Sequence, residues 1–142
     1  MAKFPLKFEV TAKATPGVST PWTCKAQDLT EINTCIPVEF NGPGKAYTPE
    51  DFFGLAVLNC IIAVVKGNCE RNNIQFEELN GKISVNMSNQ GNSLLLDHLD
   101  ITIFIKNASD KEKIKTLIEK SILECPVSNS IKSGKTYHIE VD

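Results

Sequence analysis

The chain has a single arginine, Arg71, only two histidines, His98 and His138, and no C-x-x-C. With thiols so widely spaced, a zinc site would have to gather ligands from distant segments, so no metal is expected. A basic excess is also missing. The formal net charge is -2, with 23% charged residues, which leaves nothing to neutralise a phosphate backbone and argues against nucleic acid as a partner. The N-terminal MAKFPLKFEV lacks the continuous apolar stretch of a secretory signal, so a cytoplasmic protein is expected. A membrane span needs about 20 apolar residues, and the longest run, from Phe52 to Val65, falls short; no membrane association is expected. Repeats and low-complexity linkers are absent too. With 142 residues and 42% hydrophobic content, the expectation is one domain over residues 1–142.

What is present reads as alternating strand and helix signals. Phe4, Leu6, Phe8 and Val10 recur at every second position, predicting a strand over 4–13 with one buried face. TCKAQDL and TCIPVEF read as short strands, and NGPGK at 41–45 as a sharp turn. Thr48-Pro49-Glu50-Asp51 then offers a capping hydroxyl, a proline at the first helical position and two carboxylates at the positive end of the dipole. The helix that follows is apolar on every side from Phe52 to Val65, so it is expected to be buried all round. KGNCERNN loosely marks its end. ISVNMSN at 83–89 and the segment from Leu96 to Asn107 alternate as strands around a QGNS turn. Ser109 to Glu112 has capping-box spacing, and Ile114, Leu117, Ile118, Ile122 and Leu123 form the stripe of an amphipathic helix that stops before Pro126. TYHIEV at 136–141 closes the chain as a strand. The predicted class is α+β in two layers, with helices on one sheet face. A single small sheet cannot cover the first helix, so a second copy of the chain is expected to do so.

Five cysteines, at 24, 35, 60, 69 and 125, are many for a chain without an export signal. In a reducing compartment a thiol is kept for packing or for reactivity. Cys125 precedes Pro126 and a possible helical turn, whose N–H groups would favour its anion, although it could equally just cap a turn. Cys60 looks by periodicity like a core residue, and Glu50 like a first-turn carboxylate. Cys24, Cys35 and Cys69 read as packing or surface thiols. His98 lies beside Asp97 and Asp100, and His138 in the last strand; a Cys-His hydrolase using His138 has no nucleophile motif to support it.

The pattern Thr48-Pro49-Glu50-Asp51-Phe52, an apolar helix reaching Asn59-Cys60, and a much later Cys125-Pro126-Val127-Ser128 resembles the OsmC/Ohr family of thiol-dependent hydroperoxide reductases. The likeness runs from IPVEFNGPGK to the end, and its most specific marks are the ten-residue step from Glu50 to Cys60 and the CPVS tetrapeptide. It implies an OsmC-like two-layer fold, antiparallel-rich sheets around two long central helices, in an intertwined homodimer with sites built from both subunits. It also implies that Cys60 is the peroxidatic cysteine, Cys125 the resolving cysteine and Glu50 the acidic residue that organises the pocket. The substrate would be an organic hydroperoxide, with Phe52, Phe53 and Leu55 as an apolar wall, and an external dithiol would be the reductant. No cofactor is called for. The family's reductases hold the thiolate with an N-terminal arginine, which this chain lacks; Lys13, Lys25 and Lys45 are the stand-ins. That departure keeps open an alternative, a member of the same fold with weak or no peroxidase activity that binds a small hydrophobic ligand in the dimer groove.

Overall fold

The computed structural model describes residues 2–142, divided into two compact units whose boundary falls between Phe52 and Phe53. The class is α+β, but the strands fall into two three-stranded sheets.

In the first unit β1 (Val10–Lys13), β2 (Trp22–Ala26) and β3 (Ile32–Thr34) form an antiparallel sheet in chain order. The strand expected from Phe4 starts only at Val10, because pairing begins with Val10 opposite Ala26. Its expected buried face is open: Phe4, Leu6, Phe8 and Val10 are all exposed, Phe8 at 86%. TCIPVEF is not a strand beyond Thr34. Pro37 has no N–H to continue a ladder, and Val38–Phe40 form a turn of 3-10 helix instead. NGPGK does reverse the chain. Asn41, Gly44 and Lys45 take positive φ, and Gly42 lies so close to the Ile36 carbonyl that a Cβ would sit 1.6 Å from its oxygen.

The second unit holds β4 (Glu78–Gln90), β5 (Ser93–Lys106) and β6 (Gly134–Val141), in that order. β4 and β5 form a hairpin whose two-residue loop opens with Gly91 at φ 70°, the conformation such loops require of their first residue. β5 and β6 run parallel, a pairing that needs a crossover, here supplied by the helices α2 (Lys111–Glu124) and α3 (Pro126–Asn129). Leu99, Ile101, Ile103 and Ile105, the in-phase set of β5, are buried and form the centre of the core.

Helix α1 (Pro49–Arg71) starts in the first unit and continues through the second. Thr48 caps it in both directions: its Oγ1 accepts from the Asp51 N–H at 3.2 Å, and its own N–H donates to Asp51 Oδ2 at 2.8 Å. The helix passes Lys66 and Gly67 without breaking because Asn68 and Cys69 are drawn into the core. It ends where Asn73 turns left-handed, with Ile74 N–H donating to Cys69 O and Asn73 N–H to Glu70 O, a Schellman closure. By length and composition α1 suffices to cross a membrane, yet one face is core: Gly54 seats against Val85 and Ile83, and Leu58 fills the space over Gly81. All-round burial is not what the chain itself achieves. Leu55, Ala56, Asn59 and Ala63 are exposed, Leu55 at 38%. Helix α2 is capped by Asp110, whose carboxylate accepts from the Lys113 N–H at 3.0 Å. Ser109 is not the cap because its hydroxyl takes the Gln75 N–H. The α2 stripe is Ile114, Leu117, Ile118, Ser121 and Ile122, with Leu123 turned to solvent.

Candidate functional site

Cys60 lies on α1, half-buried at the edge of the core, and Cys125 lies between α2 and α3, wholly buried. Pro126 sets this position: the residue before it cannot stay helical, so Cys125 takes extended angles and leads α3 with its own sulfur as the cap, accepting the Ser128 N–H at 3.4 Å. The Cys60 sulfur is near enough to act on the titration of Cys125, although the hydrogen bond that the Cys125 sulfur makes among the described residues is to the Ser128 N–H.

Their electrostatics run against the sequence expectation for Cys125. Burial, and then the nearby Cys60 sulfur, push the Cys125 thiol up to about 11. The N–H groups of Ser128 and Val127 pull the other way and lose. A helix of one turn supplies only the partial charge of its first N–H groups, which is less than desolvation removes. Cys125 therefore keeps its proton near neutral pH.

The surroundings of Cys125 were not visible in the sequence. Ser128 Oγ lies 3.3 Å from Tyr137 Oη on β6, and Lys135 Nζ donates to the Ser128 carbonyl at 2.9 Å. The Lys135 ammonium thus closes the end of α3. Of the expected wall residues, Phe53 lines a cavity of about 430 Å³ with Leu95, Leu96 and Ile131. Phe52 instead stacks near Tyr47, ring centroids 5.6 Å apart. Phe53 and Cys60 are seven residues apart on α1 and so share one stripe, about 10 Å apart along the axis.

Glu50 sits in the first turn of α1, and its Oε2 is buried with no hydrogen-bond partner among the described residues. Lys13, Lys25 and Lys45 are exposed. Arg71, the last residue of α1, donates to Asn68 Oδ1. The other thiols are dispersed: Cys24 meets Thr34 Oγ1 at 3.3 Å, Cys35 donates to the Ala46 carbonyl, and Cys69 is buried in the core, where desolvation raises its pKa. His98 Nε2 pairs with Thr136 Oγ1 at 2.8 Å and His138 is exposed. Neither histidine meets a cysteine among the hydrogen bonds of the described residues.

The sequence profile of OsmC-like proteins matches residues 42–140, from the NGPGK turn to the last strand. The chain belongs to that family. No curated protein sequence matches it, so the remaining likeness is structural. An OsmC-like protein of unknown function from Vibrio cholerae superposes with a TM-score of 0.82 at 11% identity, over 95% of this chain and 99% of that one. An organic hydroperoxide resistance protein OsmC from Legionella pneumophila gives 0.75 at 19% identity, over 99% of both chains. The organic hydroperoxide resistance protein OhrB of Bacillus subtilis gives 0.68 at 18% identity, over 96% of this chain and 98% of that one. At these identities the likeness establishes the OsmC fold.

Proposed function

We propose that this OsmC-like protein is a cysteine-based peroxidase that reduces organic hydroperoxides through a Cys60/Cys125 thiol-disulfide cycle. What supports the reading is that Cys60, from a distant part of the chain, lies near enough to Cys125 to raise its pKa. The division of labour follows from their environments. Cys125 is buried and protonated, whereas Cys60 is the more accessible sulfur and so the one to attack. The Cys60 thiolate takes the terminal oxygen of the hydroperoxide. The O–O bond breaks, the alkoxide picks up a proton to leave as an alcohol, and Cys60 becomes a sulfenic acid. The Cys125 sulfur then attacks the Cys60 sulfur, and the hydroxyl departs with the Cys125 proton as water. An external dithiol reduces the resulting disulfide by exchange, itself becoming a disulfide.

Glu50 is the group assigned to orient the peroxide. Ten residues of helix span about 15 Å, so Glu50 and Cys60 of one chain do not share a site. A homodimer brings the Glu50 of one copy towards the Cys60 of the other, and the open face of α1, with Leu55, Ala56 and Ala63, supplies the apolar contact. With the protein in a reducing cytoplasm, as this reading has it, the dithiol is at hand.

Cumene hydroperoxide with dithiothreitol as reductant tests the cycle. Wild type is expected to consume peroxide over many turnovers, and Cys60→Ser to lose at least about 100-fold. Cys125→Ser is expected to complete the first oxidation and to accumulate a sulfenic acid that dimedone traps. Unchanged turnover in Cys60→Ser overturns the reading. A second reading, a member of the fold that retains a small hydrophobic ligand with little or no turnover, draws on the cavity of about 430 Å³ at Phe53. Native mass spectrometry of the freshly purified protein separates the two.

A further inference from the structure

One polar cluster in the second unit has no part in the chemistry above. Asn68 is 3% exposed, within the face of α1 that otherwise buries hydrocarbon. Its Nδ2 donates to Ser121 Oγ at 2.8 Å and to Glu124 Oε2 at 2.9 Å, and its Oδ1 accepts from Arg71 at 2.6 Å. Ser121 is wholly buried and donates in turn to the Leu117 carbonyl at 2.6 Å. The two bonds from Asn68 to Ser121 and Glu124 are the side-chain hydrogen bonds that join α1 to α2 among the described residues.

Their position suggests their use. Glu124 immediately precedes Cys125, and Asn68 stands eight residues beyond Cys60 on the same helix. Apolar faces tolerate sliding, because dispersion has no preferred direction. Hydrogen bonds do not, since they weaken steeply once bent or stretched. A slip along α1 would leave a buried amide unpaired and uncompensated for its lost hydration. A buried asparagine fixes register in helical pairs by the same means.

We propose that Asn68 is a positioning residue: through Ser121 and Glu124 it holds α1 and α2 in the one axial register that brings Cys60 and Cys125 together. The inference rests on the thiol-disulfide reading for its purpose, but its test does not depend on peroxidase activity. Diamide oxidises two thiols directly: both S–H bonds break, one S–S bond forms, and the two protons and two electrons reduce the diazene to a hydrazine. The rate of Cys60–Cys125 bond formation, read by mass spectrometry of alkylated peptides, therefore reports the approach of the sulfurs alone.

Asn68→Leu keeps the volume and removes the direction. Disulfide formation is expected to slow by about tenfold to 100-fold, in line with the cost of a misplacement near 1 Å. Glu124 is exposed, so Glu124→Leu and Glu124→Gln serve even where Asn68→Leu fails to fold. The leucine variant is expected to be slow, and the glutamine variant, which still offers an oxygen to Asn68, to match wild type. Wild-type rates in Asn68→Leu or Glu124→Leu overturn the inference, as does a glutamine variant as slow as the leucine one or a wild-type protein that forms no such bond. A wild-type protein that diamide closes quickly but that ignores cumene hydroperoxide overturns the peroxidase reading and leaves Asn68 in its role.

Discussion

Cys125 concentrates three influences on one sulfur: complete burial, the neighbouring Cys60 and the N–H of Ser128. The first two prevail and move its titration from the ordinary 9.0 to about 11. In the reduced protein this has a defined sign. The folded value lies above the unfolded one, so the stabilisation is fully present below pH 9 and is lost as pH rises towards 11. Urea melts of reduced protein between pH 8 and 11 should therefore show stability falling across that window. Cys125→Ser should flatten the fall, and an identical slope in the variant would place its cause elsewhere. Cys60 and Cys125 were each legible as candidates in the sequence, the second because Pro126 forces it out of α2. Their meeting was not legible from periodicity, which sees neighbours along a helix and nothing across a sheet crossover. Asn68 was passed over because it falls among Gly67, Asn72 and Asn73, where a polar residue looks like a helix end.

At the level of elements, Gly54 decides how near α1 lies to β4. An added Cβ would stand 2.9 Å from a Val85 methyl and 3.2 Å from an Ile83 methyl, both on a strand held by its hairpin partner. Gly54→Val gains helix propensity but overpacks this contact, and a net loss of about 1–3 kcal/mol is expected, read as a lower urea midpoint. A midpoint at or above wild type would mean that the helix can lift off the strand freely. β5 was readable because Leu99 to Ile105 keep strict alternation on one buried face. The N-terminal alternation misled because period two reports which side chains share a face, not whether anything covers it. The end of α1 falls within KGNCERNN, as marked, at Arg71 before the paired asparagines and not at Gly67. Gly67 disfavours helix by about 1 kcal/mol, less than burying Asn68 and Cys69 beside their α2 neighbours returns.

For the molecule as a whole, the uncovered apolar groups matter most. Leu94 and Leu95 on β5, Leu55 on α1 and Phe4 and Phe8 near the N-terminus all face solvent in the single chain. Sedimentation equilibrium at micromolar concentration is expected to give twice the chain mass, and Leu55→Lys, which adds a charge to the open face of α1, to shift the balance towards monomer. A stable wild-type monomer would remove the second copy from the proposed site. One more consequence follows from where the two sulfurs lie along the chain. A bond between them would encircle β4, β5 and α2, a loop of roughly 65 residues, and by the chain-entropy estimate would restrict the unfolded ensemble by about 4 kcal/mol. Oxidation of the pair would then tighten the protein and reduction loosen it, so that its melting temperature would serve as a gauge of the thiol balance around it.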